Sequence, residues 1–149
     1  MTNTVKMPEY MELYETALQW DYESRHTHEE IANIMQLKYG TPKYHSMVRR
    51  ANEKLIECGK MIGNVRGEGY IVVKPDNYVE KSLSKFKQGV RRIRKSYKIS
   101  DYAPIKQMTD KGLSKYRNYN ERLGVVRAMT EGAYKEMTVL ASGSMQLNK

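Results

Sequence analysis

The sequence predicts a mainly α fold with a small β-hairpin, in which a domain of short helices is followed by long C-terminal helices. Three observations predict it: two helical segments in series that each open on a threonine, two β-prone runs joined by a glycine-containing turn, and an apolar repeat spaced 4, 3, 4, 3 and 4 from Val79 to Tyr97. A chain of 149 residues suits one core with an appendage better than two separately cored domains. The expected division is residues 8–76 as the N-terminal domain, 77–139 as a basic helical extension and 140–149 as a flexible tail.

Residues 1–7 show no period and are expected to fray. Pro8 suits a first helical turn, and PEYMELYETALQWDYES places Tyr10, Tyr14, Ala17 and Leu18 at helical spacing with Leu13 on the flank. The polar positions Glu9, Glu12, Glu15, Asp21 and Glu23 form an acidic face that would repel phosphate and is expected to point away from any DNA. Thr27-His28-Glu29-Glu30 is a capping box: the threonine hydroxyl accepts from the Glu30 amide while the Glu30 carboxylate returns to the Thr27 amide. Ile31, Ile34 and Met35 give that helix one narrow apolar face, and Gly40 ends the following turn. Thr41-Pro42 repeats the start signal, a hydroxyl cap followed by proline at the first helical position. This second helix runs to about Cys58, with Gly59 placed to take the left-handed conformation that closes it.

Val48, Ala51 and Leu55 mark the buried side of the Pro42–Cys58 helix. Lys43, Ser46, Met47, Arg50 and Lys54 are expected on the opposite side, with Arg49 at its edge. Short polar and basic side chains near a helix N-terminus are what entry into a major groove requires, and arginine can bond guanine bidentately. Met61 to Val65 and Tyr70 to Val73 then read as the two arms of a hairpin around Arg66-Gly67-Glu68-Gly69. With THEEIANIM, the TPKYHSMVRRANEKL helix and the GNVRGEGYIVV hairpin in place, residues 8–75 resemble the winged helix-turn-helix superfamily. Transcription regulators, replication initiators and protein-binding modules share that fold. What the resemblance implies is a wing tip at Arg66 to Glu68, where such proteins often touch phosphate or the minor groove.

Asp76 or Asn77 is expected to cap a long helix whose seam is Val79, Leu83, Phe86, Val90, Ile93 and Tyr97, the spacing of a coiled coil. The seam must be buried against the first domain, the C-terminal helix or the same helix of a second protomer, and the last option makes it a dimerisation element. Its polar side carries Lys81, Lys85, Lys87, Arg91, Arg92, Arg94, Lys95 and Lys98 against the single acid Glu80 over residues 77–98. Residues 99–104 are expected to break this helix, because Pro104 biases Ala103 toward an extended conformation. A last helical pattern follows from about Thr109 through Leu113, Tyr116, Tyr119, Leu123, Val126 and Met129, continuing less well through Ala133 and Met137. Gly124 and Gly132 weaken it, each at about 1 kcal/mol relative to alanine.

The formal net charge is +9, and its distribution is uneven. Residues 1–76 hold 10 of the 26 basic and 11 of the 17 acidic residues, net −1; residues 77–149 hold the remaining 16 and 6, net +10. The groove-reading segment is neutral, and the positive field lies behind it. No apolar run approaches the ~20 residues that cross a bilayer, and no apolar segment follows a basic start, so a cytoplasmic protein without membrane attachment is expected. One cysteine, Cys58, excludes an intramolecular disulfide framework. His26, His28, His45 and Cys58 do not have the spacing of a zinc site, and phosphate-binding and nucleophile-elbow motifs are lacking, so neither cofactor, metal nor enzymatic activity is expected.

The function expected is sequence-specific binding to double-stranded DNA, as a homodimeric transcriptional or replication regulator of bacterial or phage type. Lys43, Ser46, Arg49, Arg50 and Lys54 would face the groove, Arg66 the wing contact, and the helix from Lys81 to Lys98 the phosphates. The rival is a phage-encoded protein-binding module that inhibits a host nucleic-acid enzyme or ribonucleoprotein, favoured by the neutral first domain and by Glu68.

Overall fold

The computed structural model describes residues 7–143. Residues 1–6, and residues 144–149 of the expected tail, lie outside the described residues. The chain divides into two compact units, Met1–Tyr78 and Val79–Lys149.

In the first unit, helix α1 (Glu9–Leu18) is followed by strand β1 (Arg25–Thr27), helices α2 (His28–Ile34) and α3 (Pro42–Glu57), and strands β2 (Ile62–Val65) and β3 (Gly69–Val72). The three strands form one antiparallel sheet in the order β1-β3-β2. α1 stops well short of the end of its sequence pattern. The Gln19 and Trp20 amides turn back to Thr16 and Ala17, and Glu23, at φ 68°, redirects the chain into β1. Lys60, beyond α3, donates through Nζ to the carbonyls of Leu18 (2.7 Å) and Trp20 and so closes the end of α1. The buried line of α1 is Leu13 and Ala17, with Tyr10, Tyr14 and Leu18 packed partly against the core. Leu13 is therefore at the centre of the face, not on its flank.

The capping box forms as expected: Glu30 N–H donates to Thr27 Oγ1 at 3.1 Å, and Thr27 N–H to Glu30 Oε2 at 2.8 Å. α2 ends with the left-handed residue Gln36 (φ 54°), and the Leu37 amide reaches back to the Ala32 carbonyl at 2.9 Å. α3 ends the same way, with Gly59 at φ +75° and Lys60 N–H bonded to Leu55 O at 2.9 Å. Thr41 caps α3 through the Tyr44 amide. Tyr44 itself is fully buried and joins Val48, Ala51 and Leu55 on the inner face.

β1 has no counterpart in the sequence reading, which found only the hairpin. Its three residues, Arg25, His26 and Thr27, include no apolar side chain, so periodicity could not reveal it. Its place beside β3 rests on backbone pairing, with His26 opposite Tyr70, and on Gly69. At φ +142°, a Cβ on Gly69 would lie 2.1 Å from the His26 carbonyl oxygen. Only glycine lets β1 come this close.

The second unit contains helices α4 (Tyr78–Asp101) and α5 (Asp110–Gly143), joined through a short 3₁₀ turn, Ile105–Gln107. α4 runs on through Ile99 to Asp101, about one turn past Tyr97 and into the segment expected to break it, and ends just before Pro104. Contacts between the helices pair rising numbers with falling ones. The Ser100 hydroxyl donates to Asn120, Tyr116 OH to the Ser100 carbonyl, Arg127 meets Asp101 at 3.2 Å, and Arg94 grips Glu131 through two hydrogen bonds of 2.8 and 2.7 Å. The result is an antiparallel helical hairpin. α5 passes through Gly112, Gly124 and Gly132 without interruption. Many apolar side chains of α4 and α5 remain exposed.

Candidate nucleic-acid interface

The α3 side chains predicted to face DNA do not form one surface. Residues 43, 47, 50 and 54 follow one edge of a helix with 3.6 residues per turn, and α1 lies against that edge. Lys43 Nζ meets Glu9 Oε1 at 2.5 Å, the Arg50 guanidinium lies 4.3 Å from the centroid of the Tyr10 ring, and Lys54 Nζ lies 5.8 Å from that of Tyr14. Two expectations change here. Glu9, one of the acids expected to point away from any DNA, pairs with Lys43 of α3, and Met47 is half-buried against the core instead of facing solvent. Ser46 is half-buried, while Arg49 is exposed with a single long contact, 3.9 Å, to Glu53 one turn on. Glu53 and Glu57 hold the solvent side of the C-terminal half, so any basic outer surface of α3 is confined to its first turns.

At the hairpin tip, Arg66 is exposed and has no ion pair among the described residues. The neighbouring acid is not a bare negative charge: Glu68 Oε2 lies 2.5 Å from Arg25 Nη1, with both side chains more than 60% exposed. Sequence reading missed Arg25 because it missed β1.

It also missed an aromatic cluster around the start of α3. The His28 ring stacks on Tyr39 at 4.6 Å and its Nδ1 lies 3.0 Å from Tyr44 OH, while Tyr70 packs edge-on to His28 at 5.4 Å. Burial raises the Tyr44 hydroxyl well above the usual tyrosine range, which keeps it a neutral hydrogen-bonding group. The signal available was the aromatic density of YGTPKYH; its partners come from α2 and β3 and are far away in sequence. His26 stacks on Trp20 with ring centroids 3.5 Å apart, and desolvation lowers its pKa. Cys58, exposed, lies 3.2 Å from Tyr14 OH, a contact that raises the tyrosine's pKa. Among the described residues, no group of three or more His, Cys, Asp or Glu is placed to hold a metal ion, and no helix is long and apolar enough to cross a membrane.

The second unit has a different electrostatic character. On α4, Lys81, Lys85, Arg92 and Lys95 fall within one strip of the helical wheel opposite Val90 and Tyr97, with Arg91 and Lys98 beside it and Lys87 toward the flank. All are exposed except Lys87, which is half-buried, and none of these seven has an ion pair among the described residues. Arg94 is the exception. Its bond to Glu131 holds that carboxyl below the usual carboxylate range and stabilises the charged guanidinium. From Lys81 to Lys95 the ridge spans about 21 Å at 1.5 Å per residue. In the first unit, by contrast, Arg25, Lys43, Arg49 and Lys74 all have carboxylate partners.

No protein-family model, curated protein or solved structure matches this chain.

The six seam residues of α4 occupy different environments. Val90 (1% exposed) and Tyr97 (4%) are covered within the chain, Leu83, Phe86 and Ile93 are half-buried, and Val79 is 79% exposed. The Arg127 guanidinium lies 5.2 Å from the centroid of the Tyr97 ring.

Proposed function

We propose that this protein binds double-stranded DNA, with α4 supplying most of the affinity and the first turns of α3 supplying any sequence preference. The observation that carries the reading is the row of unpaired basic side chains on the outer side of α4. A folded chain gains no internal stability from such a row, whereas each phosphate it neutralises releases counterions. The order of α1, β1, α2, α3 and a hairpin that pairs back to β1 supports a winged helix-turn-helix reading of the first unit. In that reading Ser46 and Arg49 face the groove, Arg66 is the wing contact, and Lys43, Arg50 and Lys54 hold α3 on α1 while keeping their charge at the groove edge. A homodimeric regulator of transcription or replication, of bacterial or phage type, fits these features.

Selection from a random duplex library tests it. The expected result is an enriched motif that Arg49→Ala or Arg66→Ala weakens by about 1–3 kcal/mol per lost base contact. Failure to enrich any motif, with steeply salt-dependent binding retained, removes the sequence-reading role.

The second reading is a protein-binding module that blocks a host nucleic-acid enzyme or ribonucleoprotein, with α4 gripping an acidic surface. The engagement of Lys43, Arg50 and Lys54 by α1 favours it, as does the mixed charge of outer α3. Weak duplex binding without sequence preference is its signature.

A further inference from the structure

The outer side of α5 is apolar where a helix in water should be polar. Val125, Val126, Met129 and Val139 are between 45% and 70% exposed. Tyr116, Arg127, Glu131 and Tyr134, which contact α4 side chains or backbone, lie on the other side of the helix. The exposed group extends over 14 residues, about 21 Å of helix. Exposed apolar side chains gathered on one side of a helix mark a contact site.

The charges within the strip identify the occupant. Arg122 and Glu136 are the exposed ionic residues nearest its centre line, and neither has an ion pair among the described residues. Each lies seven residues from Met129, on opposite sides, about 10.5 Å along the axis. Laid antiparallel about a two-fold axis at Met129, two copies of α5 place Arg122 level with Glu136 of the second copy, and the reverse. Met129 then meets its own copy at the axis. A parallel arrangement sets arginine against arginine and glutamate against glutamate.

We infer that α5 is a self-association surface: a second copy of this chain packs antiparallel on the strip centred at Met129, registered by reciprocal Arg122–Glu136 pairs.

Sedimentation equilibrium of the full chain tests this with R122E, E136R and the double variant R122E/E136R, each checked for native helix content by circular dichroism. The wild type should be a dimer. Each single reversal should weaken association about tenfold or more, because two attractive pairs become repulsive. The double variant, which has the same composition and net charge as the wild type, should restore it. A monomeric wild type overturns the proposal and leaves the strip to another partner. Equal association in all four proteins also overturns it, as does a folded double variant that remains as weak as the singles.

Discussion

Removing two charges from the α4 ridge provides the most direct measure of what the ridge does. Lys81, Lys85, Arg92 and Lys95 form one line, so taking one phosphate per side chain gives about four released counterions and a slope of log Kobs against log salt near −3.6. Between about 50 and 200 mM salt this amounts to roughly 150-fold in affinity. In Arg92→Ala/Lys95→Ala the slope should fall to about −1.8, and the same salt change should cost only about 12-fold. Arg94→Ala is the internal control, because that guanidinium is held by Glu131 and should contribute little to the slope. Fluorescence anisotropy with a labelled duplex at several salt concentrations reads all three. If the double variant kept the wild-type slope, or if Arg94→Ala lowered it as much, the ridge would not be the phosphate contact.

Other consequences follow from the first unit. Gly69→Val should destabilise it by about 2 kcal/mol or more through the clash with His26 and the disfavoured φ, whereas Gly67→Ala, with open space around its Cβ position, should cost only about 1 kcal/mol; urea unfolding followed through the single Trp20 compares them. Thr27→Ala should lower stability by about 1 kcal/mol, seen as a shifted urea midpoint with an unchanged slope. His26 binds its proton less readily when folded, so its contribution is present above about pH 6.5, the unfolded value, and is lost as pH falls through the lower folded value. His26→Phe, which retains an aromatic partner for Trp20, should flatten the pH dependence of stability in that window; an unaltered acid limb would show that other groups cause it.

What could be read in the sequence was local chemistry. The capping box at Thr27, the Thr41-Pro42 start, Gly59 and the repeat of α4 each act within a few residues, and each is where it was expected. What could not be read depended on partners distant in the chain. β1 exists because Gly69 lets it approach, and nothing in Arg25-His26-Thr27 announces a strand. The basic side of α3 looked like a groove-facing surface because its spacing is helical; that Glu9, Tyr10 and Tyr14 lie against it is a property of helix packing, not of either segment alone. In α5 the glycines argued against a long helix, yet the helix persists through them, because an isolated glycine lowers helix stability without removing any backbone hydrogen bond.

The reach of Lys60 to the end of α1 has a consequence for how the first unit opens. α1 has ten residues, too few to persist alone in water, and its closing carbonyls find a cation that arrives some forty positions later in the chain. Fraying of that terminus and loosening of the turn after α3 are therefore one event. Amide protons in the last turn of α1 should exchange at the rate of those in α3, although the helix lies near one end of its unit, and a chain cut just after Gly59 should lose its first helix along with its last strands.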